Sequence, residues 1–472
     1  MEQDIRQLDA VFGEGSTGMT PEERANSSRR LFVRSRSQLA YDSAPASGRR
    51  LTAREALDAF GWAVLSEVDA EGSAVLSSGP KAAGQAIRLR REALGLELKH
   101  VARRAGLSEA VVAEAEESGR SIPLQIFERI AQALGMDERF VSARAQPVGT
   151  EQLAVRLRTL GRGGKMSATE VAAIAEAAWV AATQNRLERA LGLPTRIGEF
   201  TVSSNYGDSA YPAYQHGYYL ADETRRKLGL GDRALEPSLR EICEDILGIP
   251  VIQAELGEWI AGVTVQAGDA RAIVINVSGR NGRRVFVRRS TLAHELGHLL
   301  WDPDDRLESL AVDTYEDLER AANTVTDRVE QRANAFSVQF IAPQEAVLGV
   351  FQNAADYTRG VADVMEAFGI SFTAARYQIW NGLNQRVPLS ALVRPRQDPT
   401  QNWEGKESYA IDWNPLNLPP SRAGRFSAVV VRAAEVGIIS WDTAAEYLLS
   451  SIAAVREAVP ALREMFPAAF AG

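Results

Sequence analysis

The chain has 472 residues, 45% hydrophobic and 24% charged, a globular balance too long for one ordinary core, so two or three folded units are expected. A formal charge of −8 excludes coating of nucleic acid by bulk electrostatics and leaves any DNA contact to a local patch. A single cysteine, Cys243, excludes a disulfide framework and a cysteine-based metal cluster.

There is no basic, apolar leader and no run of about 18 apolar residues, so a cytoplasmic protein without membrane contact is expected. Stretches rich in Ala, Glu, Arg and Leu predict a mainly α protein with one small antiparallel β-sheet.

Residues 1–80 read as a partly ordered extension. They hold an Arg/Ser-rich stretch from Ser27 to Ser37, a small-residue segment and one helix around Thr52 to Val68. Phe32 is the single aromatic residue among the arginines, so they read as a solvated arm rather than a nucleic-acid-binding one.

Residues 81–145 change to short amphipathic helices broken by glycines. Val101, Ala105, Leu107, Val112 and Ala115 fall where a helix-turn-helix buries its seam, and Ser108 supplies an N-cap. With Gly106-Leu107-Ser108 at the turn and Glu116 one helix on, this all-α region resembles the XRE-type helix-turn-helix regulators over roughly 60 residues. The helix that would enter a DNA groove carries Glu109, Glu114, Glu116 and Glu117 and no basic residue, and it would repel a polyanion. Arg103, Arg104 and Arg120 are the candidates for holding phosphates. Operator binding stands open beside a domain that binds protein or forms a homodimer.

Residues 146–217 predict a helical connector, with a helix capped at Ser167 and ended near Gly192, then a Tyr- and Gly-rich stretch. From 218 to 385, two helices precede alternating apolar segments, IPVIQAEL, AGVTVQAG, RAIVINVS and RRVFVRR. Gly268-Asp269 and Asn281-Gly282 supply hairpin turns between the last three. The next helix is expected to begin near Ser290. Residues 386–472 read as a Pro-rich loop, with Trp403 and Trp413 as packing anchors, and a C-terminal helical region.

In STLAHELGHLLW, His294 and His298 stand four apart, so a helix presents both imidazoles on one face, the separation needed to chelate one ion. Glu295 lies beside them as a candidate general base. Only four histidines occur in the chain, which makes the pairing hard to ascribe to chance. A catalytic zinc needs a third protein ligand. Asp302, Asp304, Asp305, Glu308, Asp313, Asp327 and Glu330 are the candidates, and Glu330 stands out because it opens an amphipathic helix of its own, with Asp327 as fallback.

The succession STLAHELGHLLW, EQRANAFSVQFIAP and FGISFTAARYQIWNGL resembles the ImmA/IrrE family of metallopeptidases from about Tyr218 to Leu383. The resemblance implies a zincin-like fold binding Zn2+ through His294, His298 and Glu330, with Glu295 as catalytic base. Arg332 departs from the acidic residue often found two positions after the third ligand. An oxyanion helper is sought among His216, Tyr206, Tyr211, Tyr214, Tyr218 and Tyr219, with His216 and Tyr218 foremost. One edge strand, Arg271 to Val277, is expected to hold substrate backbone. The resemblance further implies a protein substrate, a helix-turn-helix repressor cut in a stress or mobile-element response. A separate protein is favoured over a second copy of this chain or its own connector around Gly161 to Lys165. The competing reading is a DNA-binding regulator or antitoxin-like binder whose metal site senses or is vestigial.

Overall fold

The structure is a computed structural model that describes residues 2–35, 38–43, 48–76, 82–117, 123–136, 166–200, 213–267, 270–302, 312–315, 328–396, 403, 405–407 and 414–471. Arg120, Tyr206, Tyr211, Asp304, Asp305, Glu308, Asp327, Trp413 and the connector around Gly161 to Lys165 lie outside these residues. The chain divides into two units, Met1–Leu193 with Ala267–Ala270 and Asn414–Gly472, and Pro194–Gln266 with Arg271–Trp413.

The first unit begins with helices α1 (Glu2–Phe12) and α2 (Pro21–Ser27), then strands β1 (Leu31–Arg34), β2 (Gln38–Tyr41) and β3 (Arg49–Thr52), helix α3 (Ala53–Glu71) and strand β4 (Ser73–Val75). The sheet order is β3-β1-β2-β4. Thr52 starts α3 through a capping box with Glu55. Phe12, Phe32, Leu39, Leu51, Leu65 and Val68 are buried together, so these residues own a core and are not a partly ordered extension. The expected solvated arm is likewise corrected. Arg34 is buried in β1 and pairs with Glu128 at 3.5 Å, beside Arg49 at 3.1 Å from the same carboxylate. Buried, paired guanidiniums look like solvent-facing ones in a sequence, because the partner lies far along the chain.

Four helices follow, α4 (Ala82–Ala93), α5 (Leu98–Ala105), α6 (Glu109–Glu116) and α7 (Leu124–Ala133). Val101, Ala105, Val112 and Ala115 are buried between them, and Ser108 caps α6 by accepting from Val111 N. Helix α8 (Ala168–Leu191) is capped at Ser167 and closed by Gly192. Helices Arg425–Glu435, Trp441–Tyr447, Ile452–Glu457, Val459–Met465 and Pro467–Phe470 complete the described part of this unit. Arg422, just before them, donates to Glu176 of α8 (3.0 Å), Gln132 of α7 (2.8 Å) and the Tyr447 carbonyl (2.7 Å).

The second unit carries helix α9 (Ala213–Leu228), which runs across the expected border at 217/218, and a short turn Leu239–Glu241 continued as the π-helix Ile242–Leu247. Strands β5 (Val251–Ala254), β6 (Ile260–Ala267), β7 (Ala270–Asn276) and β8 (Val312–Thr314) form a sheet ordered β5-β7-β6-β8. The ladder is parallel at β5–β7 and antiparallel at β6–β8. Strand β7 therefore lies inside the sheet, which overturns Arg271 to Val277 as the edge that would hold substrate.

Helix α10 (Val285–Trp301) begins five residues earlier than Ser290, and the expected strand RRVFVRR is largely its first turns. Alternation and β-branched residues suggest a strand there. The buried positions, Val285, Arg288, Arg289 and Leu292, instead recur at helical spacing, with Arg288 donating to the Gly282 carbonyl and Arg289 paired with buried Glu407. Helices α11 (Arg328–Ile341), α12 (Gln344–Gln352), α13 (Tyr357–Phe368) and α14 (Phe372–Gly382) close the unit over a core of Leu292, Leu296, Leu299, Phe336, Phe340 and Val364, among others. Trp403 is buried, its indole N–H donating to the Glu366 carbonyl at 2.8 Å.

Candidate metal centre

Apolar Leu292, Leu296, Leu299 and Leu300 bury α10 on the core, which turns His294 and His298 together towards the first turn of α11. Glu330 stands in that turn. Its Oε2 lies 3.3 Å from His294 Nε2 and 3.4 Å from His298 Nε2, and the two Nε2 atoms are 3.0 Å apart. Among the described residues, these three form the one group of His, Cys, Asp or Glu side chains gathered as a metal could require.

The spacing itself tests the fit. Donors about 2.0–2.2 Å from a zinc ion at tetrahedral angles lie roughly 3.3–3.6 Å apart, close to the separations found. The imidazole tautomer agrees. His298 Nδ1 donates to Asp302 Oδ2 at 2.8 Å, which leaves the Nε2 lone pair directed at Glu330.

Glu295 is fully buried, and its Oε2 accepts from Thr264 Oγ1 of β6 at 2.7 Å. Strand β6 comes this close because residue 262 is glycine. A Cβ there would lie 2.6 Å from Glu295 Oε1 and 2.7 Å from Thr291 Cγ2. The base candidate is thus held by the sheet on one side and by its own helix on the other.

The remaining sequence candidates fall elsewhere. Asp302 holds His298 rather than joining the cluster, and its other oxygen is paired with Arg332. Arg332, the departure noted in the sequence, therefore braces the ligand shell. Asp313 lies in β8. His216 is buried on α9, and burial, then the charges of Arg332 and Arg328, lower its pKa. The Tyr218 hydroxyl donates to Gln378 Oε1 of α14 at 2.8 Å. Tyr219 is exposed. Thr264 and Gly262 escaped sequence reasoning, since nothing in AGVTVQAG marks which strand faces Glu295.

In the helix-turn-helix region, Arg104 is withdrawn from phosphate binding by an ion pair with buried Glu176. Arg91 likewise grips Glu116 through two hydrogen bonds of 2.6 and 2.7 Å. Arg103, Glu109 and Glu117 are exposed.

A His-His-Glu cluster on two helices, with a buried carboxylate on the same helix as the two histidines, is the kind of donor set a metallopeptidase-type domain requires. Comparison with known families agrees: residues 244–379 match the IrrE N-terminal-like domain and residues 87–141 match the helix-turn-helix family. The chain carries an ImmA/IrrE-type peptidase domain with an XRE-type helix-turn-helix domain on its N-terminal side. No curated protein matches the chain. No helix among the described residues is long and apolar enough to cross a membrane.

Proposed function

We propose that this chain is a zinc-dependent endopeptidase whose substrate is a regulatory protein of the helix-turn-helix repressor class, cut in a stress or mobile-element response. The observation that carries the chemistry is the convergence of His294 Nε2, His298 Nε2 and Glu330 Oε2 at spacings a single ion satisfies. The substrate class rests on the family resemblance.

Zinc held by these three side chains would supply Lewis-acid chemistry, polarising a peptide carbonyl and acidifying water. Glu295 takes a proton from the attacking water as the new C–O bond forms. It then delivers that proton to the leaving amine as the C–N bond breaks. Thr264 keeps the Glu295 carboxylate in one orientation, and burial keeps bulk water from competing for it.

Metal analysis of the purified wild type and of Glu295→Gln, followed by incubation with helix-turn-helix regulators, tests the reading. One zinc per chain in both proteins and cleavage only by the wild type are expected. Absent zinc, or equal proteolysis by both, would sink it.

A further inference from the structure

A cleft of about 510 Å3 lies in the second unit between α9, the start of α10, α11 and α14. Its floor is Val287 and Ser290 of α10 with Asn334 and Val338 of α11, and the two helices touch there, Ser337 Oγ donating to the Ser290 carbonyl at 2.9 Å. Ser290 stands one turn before His294, and Asn334 one turn after Glu330. Residues four apart on a helix are about 5–6 Å apart, so the cleft opens about one turn from the ligand cluster.

Its walls are part aromatic and part polar, with Thr373, Asn381 and Gln385 among the rings. Tyr214, Phe286, Tyr377 and Trp380 line it, the last two edge to face at 6.3 Å. At its rim the exposed guanidiniums of Arg284 and Arg394 rest over the rings of Phe286 (4.9 Å) and Phe372 (5.4 Å). Among the described residues no Asp or Glu lines the cleft. Its volume falls within the roughly 300–1,000 Å3 of sites that enclose a ligand.

The strand that faces Glu295 is not itself an edge of the sheet. Strand β6, which carries Gly262 and Thr264 against that carboxylate, has its outer edge paired with β8, Gly262 opposite Asp313 and Val263 opposite Val312. Strand β5, the other end of the order, is two strands away from β6.

We infer that this cleft is the specificity pocket of the peptidase, receiving a large apolar side chain, aromatic above all, with a neighbouring carboxylate held by Arg284 and Arg394. The inference rests on the peptidase reading for its role and on the cleft for its selectivity. An extended peptide advances about 3.3–3.6 Å per residue, so the pocket reads a residue within about two of the cut bond.

Three labelled peptides identical but for Phe-Asp, Phe-Lys or Ala-Asp at one place test it by fluorescence anisotropy. Binding is measured with Glu295→Gln and with the wild-type chain in chelator, so a variant that fails to fold leaves a second reading. Phe-Asp is expected to bind at least about tenfold more tightly than either partner, the loss a misplaced charge or missing ring imposes. Arg284→Glu with Arg394→Glu, both at exposed positions, is expected to reverse the Asp-over-Lys preference. Equal binding of the three, or an unchanged preference in the double variant, overturns the pocket. Hydrolysis by the zinc-loaded wild type is scored separately. Selective binding without cleavage sinks the peptidase reading and keeps the pocket, whereas cleavage of all three alike sinks the pocket and keeps the peptidase.

Discussion

Arg332 and His298 grip the same carboxylate from opposite sides: Asp302 accepts from His298 Nδ1 with one oxygen, at 2.8 Å, and pairs with the Arg332 guanidinium through the other. A ligating imidazole held this way has a fixed ring plane and a more basic free nitrogen. Asp302→Asn is therefore expected to weaken zinc binding about 10- to 100-fold, the usual cost of losing such a partner. Competition with a chromophoric chelator measures it. An unchanged affinity would remove Asp302 from the site.

Thr264→Val keeps the shape of the side chain and deletes the donor to Glu295. A hydrogen bond to a charged group contributes about 1.5–3 kcal/mol, so kcat is expected to fall by roughly ten- to a hundredfold with zinc content unchanged. A variant with wild-type kcat would show that the contact does not position the base.

Gly297→Ala sets two effects against each other. Alanine gains about 0.8–1.0 kcal/mol of helix propensity, while overpacking a filled core costs about 1–3 kcal/mol. The added Cβ would lie 2.8 Å from Cδ1 of buried Phe336, so crowding is expected to win and lower the melting temperature. Calorimetry of the full chain reads the sign directly.

Glu176 is buried between Arg104 and Arg422. Burial alone raises its pKa, but the two guanidiniums outweigh burial and bring it below the ordinary 4.5. A depressed carboxylate stabilises the fold at pH values above its unfolded pKa, and that contribution is lost as pH falls below about 4.5 towards the folded value. Glu176→Gln leaves buried guanidiniums without their anion and is expected to cost roughly 3–5 kcal/mol at pH 7. Urea denaturation at pH 7 and at pH 4 should show the gap between variant and wild type narrowing with acid. A gap that widens would reverse the assignment.

Glu109 and Glu117 are exposed on and just after α6. Replacing both with Lys is expected to raise non-specific DNA affinity and to steepen the dependence of log K on log salt by roughly 1.8, about 0.9 per added phosphate contact. Anisotropy titrations of a random duplex at several salt concentrations follow this slope. Tight sequence-specific binding by the wild type would show that the acidic helix is no barrier.

The His-His-Glu cluster was legible because its signal is local. Four residues of spacing put His294 and His298 on one face, and Glu330 announces its own helix. What escaped depends on contacts remote in sequence. Arg34 reads as a solvated arm because its partner Glu128 lies about a hundred positions on, and Arg104 reads as a phosphate ligand because Glu176 sits on another helix. Arg283 to Arg289 reads as a strand because short apolar runs do not distinguish two periods, and only the burial of Arg288 and Arg289 decides for a helix. The sheet order, which puts β7 inside and β8 outside, has no counterpart in any local pattern.

The unit that holds the helix-turn-helix is discontinuous in the chain, and this sets an order of events on the ribosome. Glu176 and Gln132 must wait for Arg422, and Glu55 for the backbone N–H of Ser440, while everything between Pro194 and Trp413 is made. At about 5–20 residues per second that interval lasts roughly ten to forty seconds, ample time for the intervening unit to reach its own fold. The second unit can thus be finished before the first is closed, and arrival of the segment that carries Arg422 and Ser440 is the step that closes it.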